Sequence, residues 1–199
     1  MTVFPTAYFG NISYFRNLLA SEVVYIETKE HFIKQTLRTR CIILGANGKQ
    51  HLSVPVEKPF GSKTPMDQLI ISHQEKWQKD HWKSIESAYA SSPYFEAYDR
   101  EVKELIYSEE RNLIRFNHQI TTSVLDWLEC PHEILFTEKY MAFDHDLRAY
   151  NFEDDLEPKN YIQVFGQDGF THGLSILDLL FCEGPMARNF IFPSPSIHE

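Results

Sequence analysis

Cysteine, positive charge and long apolar runs are all scarce in this chain, and each shortage removes a class of function. Only Cys41, Cys130 and Cys182 are present, widely spaced and in no Cys-x-x-Cys arrangement. That pattern builds neither a disulfide framework nor a zinc knuckle and points to a reducing compartment. Acidic residues outnumber basic ones by 28 to 19, a net charge of −9. A protein that neutralises a phosphate backbone normally shows the opposite balance, so no nucleic-acid partner is expected. No apolar run approaches the length of a bilayer span. The start, Met1-Thr-Val-Phe-Pro-Thr-Ala-Tyr-Phe9, lacks the basic and apolar segments of a secretory signal, so the expected location is cytoplasmic. Glycine-rich phosphate loops, a Gly-x-Ser-x-Gly elbow and spaced metal-ligand sets are missing too, so no motif names a cofactor or a metal.

Aromatic residues, by contrast, are plentiful at 14% of 199 residues. Several fall in the stretch Trp77–Phe95. Helical spacing there puts Trp77, His81, Ile85 and Ala88/Tyr89 on one stripe, with Gln78, Lys79 and Lys83 facing outward. Ser91-Ser92-Pro93 ends the helix, because proline disfavours helical backbone at the residue before it.

Elsewhere the pattern alternates between strands and helices. Val3-Phe4 starts a strand, Asn11 caps a helix over Ile12–Ala20, and Val23–Ile26 forms a second strand: a parallel βαβ start. Strands over Cys41–Leu44 and His51–Val56 flank Asn47-Gly48, a hairpin signal, with Leu52, Val54 and Val56 on the buried face. Helices are predicted over Phe95–Ile106 and Arg111–Trp127, and strands over Glu133–Thr137 and Tyr161–Phe165. Asp144–Glu157 reads as an exposed acidic connection. Ser175 opens a last helix in which Asp178 completes a capping-box-like signal, and Gly184-Pro185 closes it. The expectation is one α/β domain over residues 1–199, a mixed sheet with helices on both faces and a helical block from Gln74 to Trp127. An α+β arrangement is the alternative, and the tail from about 193 is expected to be disordered.

Two features carry chemistry. Lys29–Arg40 is the most basic window, with Lys29, His31, Lys34, Arg38 and Arg40 against the single acid Glu30. Arginine suits two-point contact with carboxylate or phosphate, so Arg38 and Arg40 are candidate anion ligands, and His31 is grouped with them. The imidazole of His81 titrates near neutrality and suits a general base. The alternatives are a solvated connection for the basic window and a core histidine for His81. Tyr8, Trp77 and Tyr89 are candidate pocket walls, although rings such as Trp77 and Tyr89 more often fill a core.

The same segments resemble the WbqC-like protein family. The matching stretches are Tyr8-Phe9 with Ser13-Tyr14-Phe15, Arg40 ahead of Asn47-Gly48, and Leu52-Ser-Val-Pro-Val56. Trp77-x-x-x-His81 leading to Ile85, Tyr89 and Pro93-Tyr-Phe95 also matches, as do Tyr161-Ile-Gln-Val-Phe165 and Leu174–Phe181. The resemblance implies a role in bacterial surface polysaccharide biosynthesis of the O-antigen type. There, aminoacyl (glycine) or acyl transfer to a sugar precursor is the expected reaction. A non-catalytic binding or scaffold module of the same pathway is the alternative. The implied partners are a small anionic sugar precursor and, for the module, another pathway enzyme. In the transferase reading His81 is the base, Arg38 and Arg40 hold the anion, and Tyr8 and Tyr89 line the pocket.

Overall fold

The computed structural model describes residues 1–74, 76–153, 159–166 and 169–192. The expected tail from about 193 lies outside the described residues. The architecture is α/β, built on a parallel sheet in the order β7-β2-β1-β8. Its strands are β1 (Thr2–Phe4), β2 (Val24–Ile26), β7 (Ile134–Phe136) and β8 (His145–Asp146). Each adjacent pair is parallel, with Val3 opposite Tyr25 and Asp146, and Tyr25 opposite Leu135.

The connection from β1 to β2 is α1 (Ile12–Leu19), where the Asn11 side chain accepts from the Tyr14 amide at 2.9 Å. This supplies one of the free N–H groups of the first turn with a partner. Ile12, Phe15 and Leu18 of α1 pack with Phe4, Val24 and Ile26 of the strands. All of β1 is buried. Alternate side chains of a strand leave opposite faces, so both faces of the sheet are covered at its centre.

Antiparallel pairing is present as expected, but in separate two-stranded sheets. The larger is the hairpin of β3 (Arg40–Gly45) and β4 (Gly48–Ser53), in register from Arg40 opposite Ser53 to Gly45 opposite Gly48. The turn is tighter than the sequence suggests, and of Asn47-Gly48 only Gly48 takes a positive φ, 97°. A non-glycine residue there would be strained. The smaller sheet joins β5 (Val56–Glu57) to β6 (Ile70–Ile71).

The helical block comprises α2 (Trp77–Tyr89), α3 (Phe95–Ile106) and α4 (Leu113–Trp127). Its first two helices pack on the hairpin, where Trp82, Ile85 and Val102 share a buried cluster with Cys41, Ile43, Leu52 and Val54, whereas α4 also sends Val124 and Leu125 into the cluster around the parallel sheet. This cluster and the one around the parallel sheet meet at Trp127 and Val164. Two short helices, α5 (Ile176–Glu183) and α6 (Arg188–Ile191), complete the described chain.

Three local expectations are corrected. Tyr161–Phe165 is not a strand; the Tyr161 hydroxyl (2.7 Å) and Gln163 Nε2 (3.1 Å) instead donate to the Asp178 carboxylate. Asp178 is therefore a buried core acid on α5 rather than a cap. The acidic connection also conceals structure, because His145-Asp146 pairs with β1 while Arg148 and Phe152 are buried.

Buried charge binds these parts. The Arg38 guanidinium donates Nε to Glu30 Oε1 (2.7 Å) and Nη2 to Glu30 Oε2 (2.8 Å). Replacing Arg38 by Ala leaves Glu30 buried without its counter-charge. The expected loss is about 3–5 kcal/mol, a fall in melting temperature of roughly 10 °C or more. The double replacement Arg38→Met with Glu30→Leu is expected to lose much less, because no orphaned charge remains. Thermal melts of the single and double variants check this.

Candidate functional site

All four strands of the sheet run the same way, so their carboxyl ends share one edge. From β1 the chain moves to β2 and then β7 on one side, and it later returns to β8 on the other. In an open α/β sheet the crevice outside the carboxyl ends, where the strand order reverses, is where ligands bind. Here that crevice lies between the segments following β1 and β8.

A cleft of about 360 Å³ occupies this place. Phe9, Gly10 and Asn11, after β1, form one wall, and Arg148 to Glu153, after β8, form another. Ile33 and Gln35–Arg38 of the basic connection, Arg40–Ile42 of β3, and Gly173 and Ser175 ahead of α5 complete the lining. Two lining residues, Phe9 (φ 42°) and Gln35 (φ 60°), hold the left-handed backbone that side-chain-bearing residues rarely adopt. The surrounding bonds maintain Phe9: the Ser175 hydroxyl donates to its carbonyl at 2.8 Å, and the Ile176 amide donates to the Gly10 carbonyl at 2.9 Å. Strain retained in this way clusters at ligand clamps and active sites.

Below the cleft lies the ion network. Besides its contacts to Glu30, Arg38 donates Nη2 to the Arg148 carbonyl (2.9 Å) and Nη1 to Thr36 Oγ1 (3.3 Å). Arg148 donates Nη1 to Glu27 Oε2 (2.8 Å), and Nε and Nη2 to the two carboxylate oxygens of Asp146. The Asp146 carboxylate is held below its usual range by these bonds. Glu30 is pushed upward by burial, which outweighs the opposing pull of Arg38. Glu27 also accepts from Thr137 Oγ1 (2.7 Å) and from the Lys29 amide (2.7 Å).

Arg40 differs from both. Its Nε donates to Ser53 Oγ, its cross-strand partner, at 3.0 Å. Among the described residues its two terminal nitrogens have no partner, and the side chain is only half-buried. Among the described residues it is the one lining arginine that forms no ion pair. Glu153, exposed on the wall after β8, is the only lining carboxylate among the described residues, and it forms no ion pair among them.

The sequence candidates are thus divided. Arg38 and Arg40 both line the cleft, but Arg38 is a buried structural ion-pair partner and is not free to clamp a ligand. His81 is not brought to the cleft: it is 5% exposed, its Nδ1 stands 2.9 Å from the Tyr8 hydroxyl, and the ring makes a backbone hydrogen bond at Ser53. Burial lowers its pKa to about 4, so the imidazole is neutral at pH 7. The expectation that this ring and the arginines open onto a shared hollow is corrected, because the inward stripe of α2 points into the core behind the hairpin. Tyr8 is fully buried and stacks on Phe116 at 5.9 Å. Trp77 is buried, its Nε1 donating to the Ser72 carbonyl at 3.1 Å. Tyr89 is fully buried, accepting from the Leu44 amide at 3.3 Å and hydrogen-bonded to Asp178. These three rings fill the core and do not line the cleft. His31 is exposed, forms an isolated backbone bridge with Pro65, and lies outside the cleft lining.

Sequence reasoning missed Gln35, Thr36, Arg148, Tyr150 and Glu153. The lone acid in the basic window was one available signal, since Glu30 beside Arg38 marks an internal pair. For the residues after β8 no strong signal existed, because a two-residue strand in an acidic stretch has no periodicity to detect. Among the described residues no group of three or more His, Cys, Asp or Glu side chains is arranged to hold a metal ion. No described helix is long and apolar enough to cross a membrane.

A family model described as the WbqC-like protein family matches residues 6–166. No curated protein and no solved structure matched the chain.

The state of His81 predicts a pH dependence. Its pKa in the fold, about 4, lies below the ordinary value of 6.5. The unfolded chain therefore binds the extra proton first as pH falls. The stability contributed by the neutral ring is fully present above about pH 6.5, is lost as pH falls toward 4, and changes no further below that. His118, also lowered by burial, adds in the same direction. His81→Gln is expected to flatten the dependence of the urea midpoint between pH 7 and 4.5. A variant slope equal to the wild-type slope would place the titration on other groups.

Proposed function

We propose, for a chain that belongs to the WbqC-like protein family, that the cleft at the carboxyl ends of β1 and β8 binds an anionic sugar precursor. In surface polysaccharide biosynthesis of the O-antigen type the acceptor's hydroxyl or amine then attacks the carbonyl of an acyl or aminoacyl thioester, and the new ester or amide bond forms as the C–S bond breaks and the thiolate leaves. The pathway rests on the family likeness. The location rests on one observation: a concave site at the strand-order reversal that contains a guanidinium with its terminal nitrogens unpartnered.

In this reading Arg40 holds the anion, Ser53 fixes the direction of its guanidinium, and Tyr150 offers a ring face to the sugar. The proton of the attacking hydroxyl or amine goes to Glu153, the exposed carboxylate of the wall. General-base assistance from such a group contributes typically ~10²–10⁴-fold. His81 becomes a positioning residue. Its contacts to Tyr8 and Ser53 hold the end of β4, and hence Ser53 beside Arg40, without reaching the ligand.

The test is a thermal-shift panel of sugar phosphates, nucleotide-sugars, amino acids and acyl-CoA thioesters. A ligand of the native state raises the melting temperature in a concentration-dependent way, corresponding to about 2.7 kcal/mol at a hundredfold excess over Kd. Arg40→Ala is expected to abolish the shift while its own melting temperature stays within a few degrees of wild type. Glu153→Gln is expected to retain binding and to lose transfer. A panel with no ligand, or an Arg40→Ala protein that binds as well as wild type, contradicts this reading.

A further inference from the structure

The cleft contains three arginines, and their partners reveal how much charge remains for a ligand. Every guanidinium nitrogen of Arg38 and Arg148 is hydrogen-bonded inside the protein, to Glu30, Thr36, the Arg148 carbonyl, Glu27 and Asp146. Two cations there face three carboxylates, so the network carries no positive surplus to present upward. Only the two terminal nitrogens of Arg40 remain, with Nε occupied by Ser53. A guanidinium with both terminal nitrogens free binds one planar or tetrahedral anionic group end-on, through two parallel bonds.

Space imposes the same limit. About 360 Å³ lies at the small end of ligand-site volumes. The lining also includes Glu153, whose carboxylate repels a second phosphate placed toward it. At the mouth Ile33 (47% exposed) and Tyr150 (41% exposed) give apolar and aromatic surface for a ring, not further charge.

We infer that the ligand of this cleft bears a single anionic group, such as a sugar monophosphate, and that the cleft discriminates against the diphosphate of a nucleotide-sugar. The inference rests on the binding site assigned above and specifies its substrate class. One phosphate sits on Arg40, the sugar ring packs between Tyr150 and Ile33, and among the described lining residues no cation remains for a second phosphate.

Isothermal titration of the full chain at fixed ionic strength tests this with inorganic phosphate, glucose 1-phosphate, inorganic pyrophosphate and UDP-glucose. The expected result is that each monophosphate binds at least tenfold more tightly than its diphosphate counterpart. Arg40→Ala is expected to weaken monophosphate binding at least tenfold, with Arg40→Lys intermediate because it keeps the charge and loses the two-point contact. Diphosphates that bind as tightly as monophosphates, in an Arg40-dependent way, overturn the single-anion inference and leave the site assignment intact. Absence of binding by all four probes, or binding that Arg40→Ala does not alter, overturns both.

Discussion

Two buried arginines and three carboxylates hold one edge of the parallel sheet together. Arg38 grips Glu30 on the basic connection, and Arg148 joins Glu27, just past β2, to Asp146, the last residue of β8. Segments far apart in the chain are thereby fastened at one edge of the parallel sheet. Ions removed from water are costly, and their mutual attraction offsets that cost only when the geometry is good and the remaining bonding positions are filled. Here Thr36, Thr137, the Lys29 amide and the Arg148 carbonyl fill several of them.

The network also sets the electrostatics of the cleft above it. Arginines that look like an anion clamp in sequence are internally neutralised, and the adjacent hairpin supplies the guanidinium that remains available. Arg40 and Ser53 are cross-strand partners at the open end of that hairpin. The buried ring of His81 anchors the same strand end from behind. Ser175 and Ile176 bind the carbonyls of Phe9 and Gly10, so α5 fixes the third wall. Asp178, one turn further along α5, ties in Tyr161, Gln163 and Tyr89. Cleft geometry thus depends on polar contacts from nearly every layer of the fold.

The elements that sequence reasoning found are those whose local signals agree with their final environment. Asn11 caps α1, the α2 stripe from Trp77 to Tyr89 is inward throughout, and the hairpin forms, with its two-residue turn at Ala46-Asn47, one position before the expected Asn47-Gly48. Those it missed lack local signal. His145-Asp146 becomes a strand only because β1 offers an open edge, and Tyr161–Phe165 has strand-like composition but meets a buried carboxylate instead of a neighbouring strand. For the site, residue type was informative while direction was not: His81 and Tyr89 have suitable chemistry, yet the stripe that carries them faces hydrocarbon.

The alternation of apolar residues, the capping and turn residues and the charge balance are properties of neighbours in the chain. By themselves they determined an α/β protein, the ends of its main helices and the basic window that borders the cleft. Where the strand order reverses and how Arg148 is neutralised are set by groups more than a hundred positions apart. Arg148 meeting Glu27 is one such pair. Coulomb energy and desolvation act through space, so only the tertiary structure could decide that Arg148 is spent on Glu27 and Asp146 and Arg38 on Glu30, while Arg40 bonds only Ser53 among the described residues.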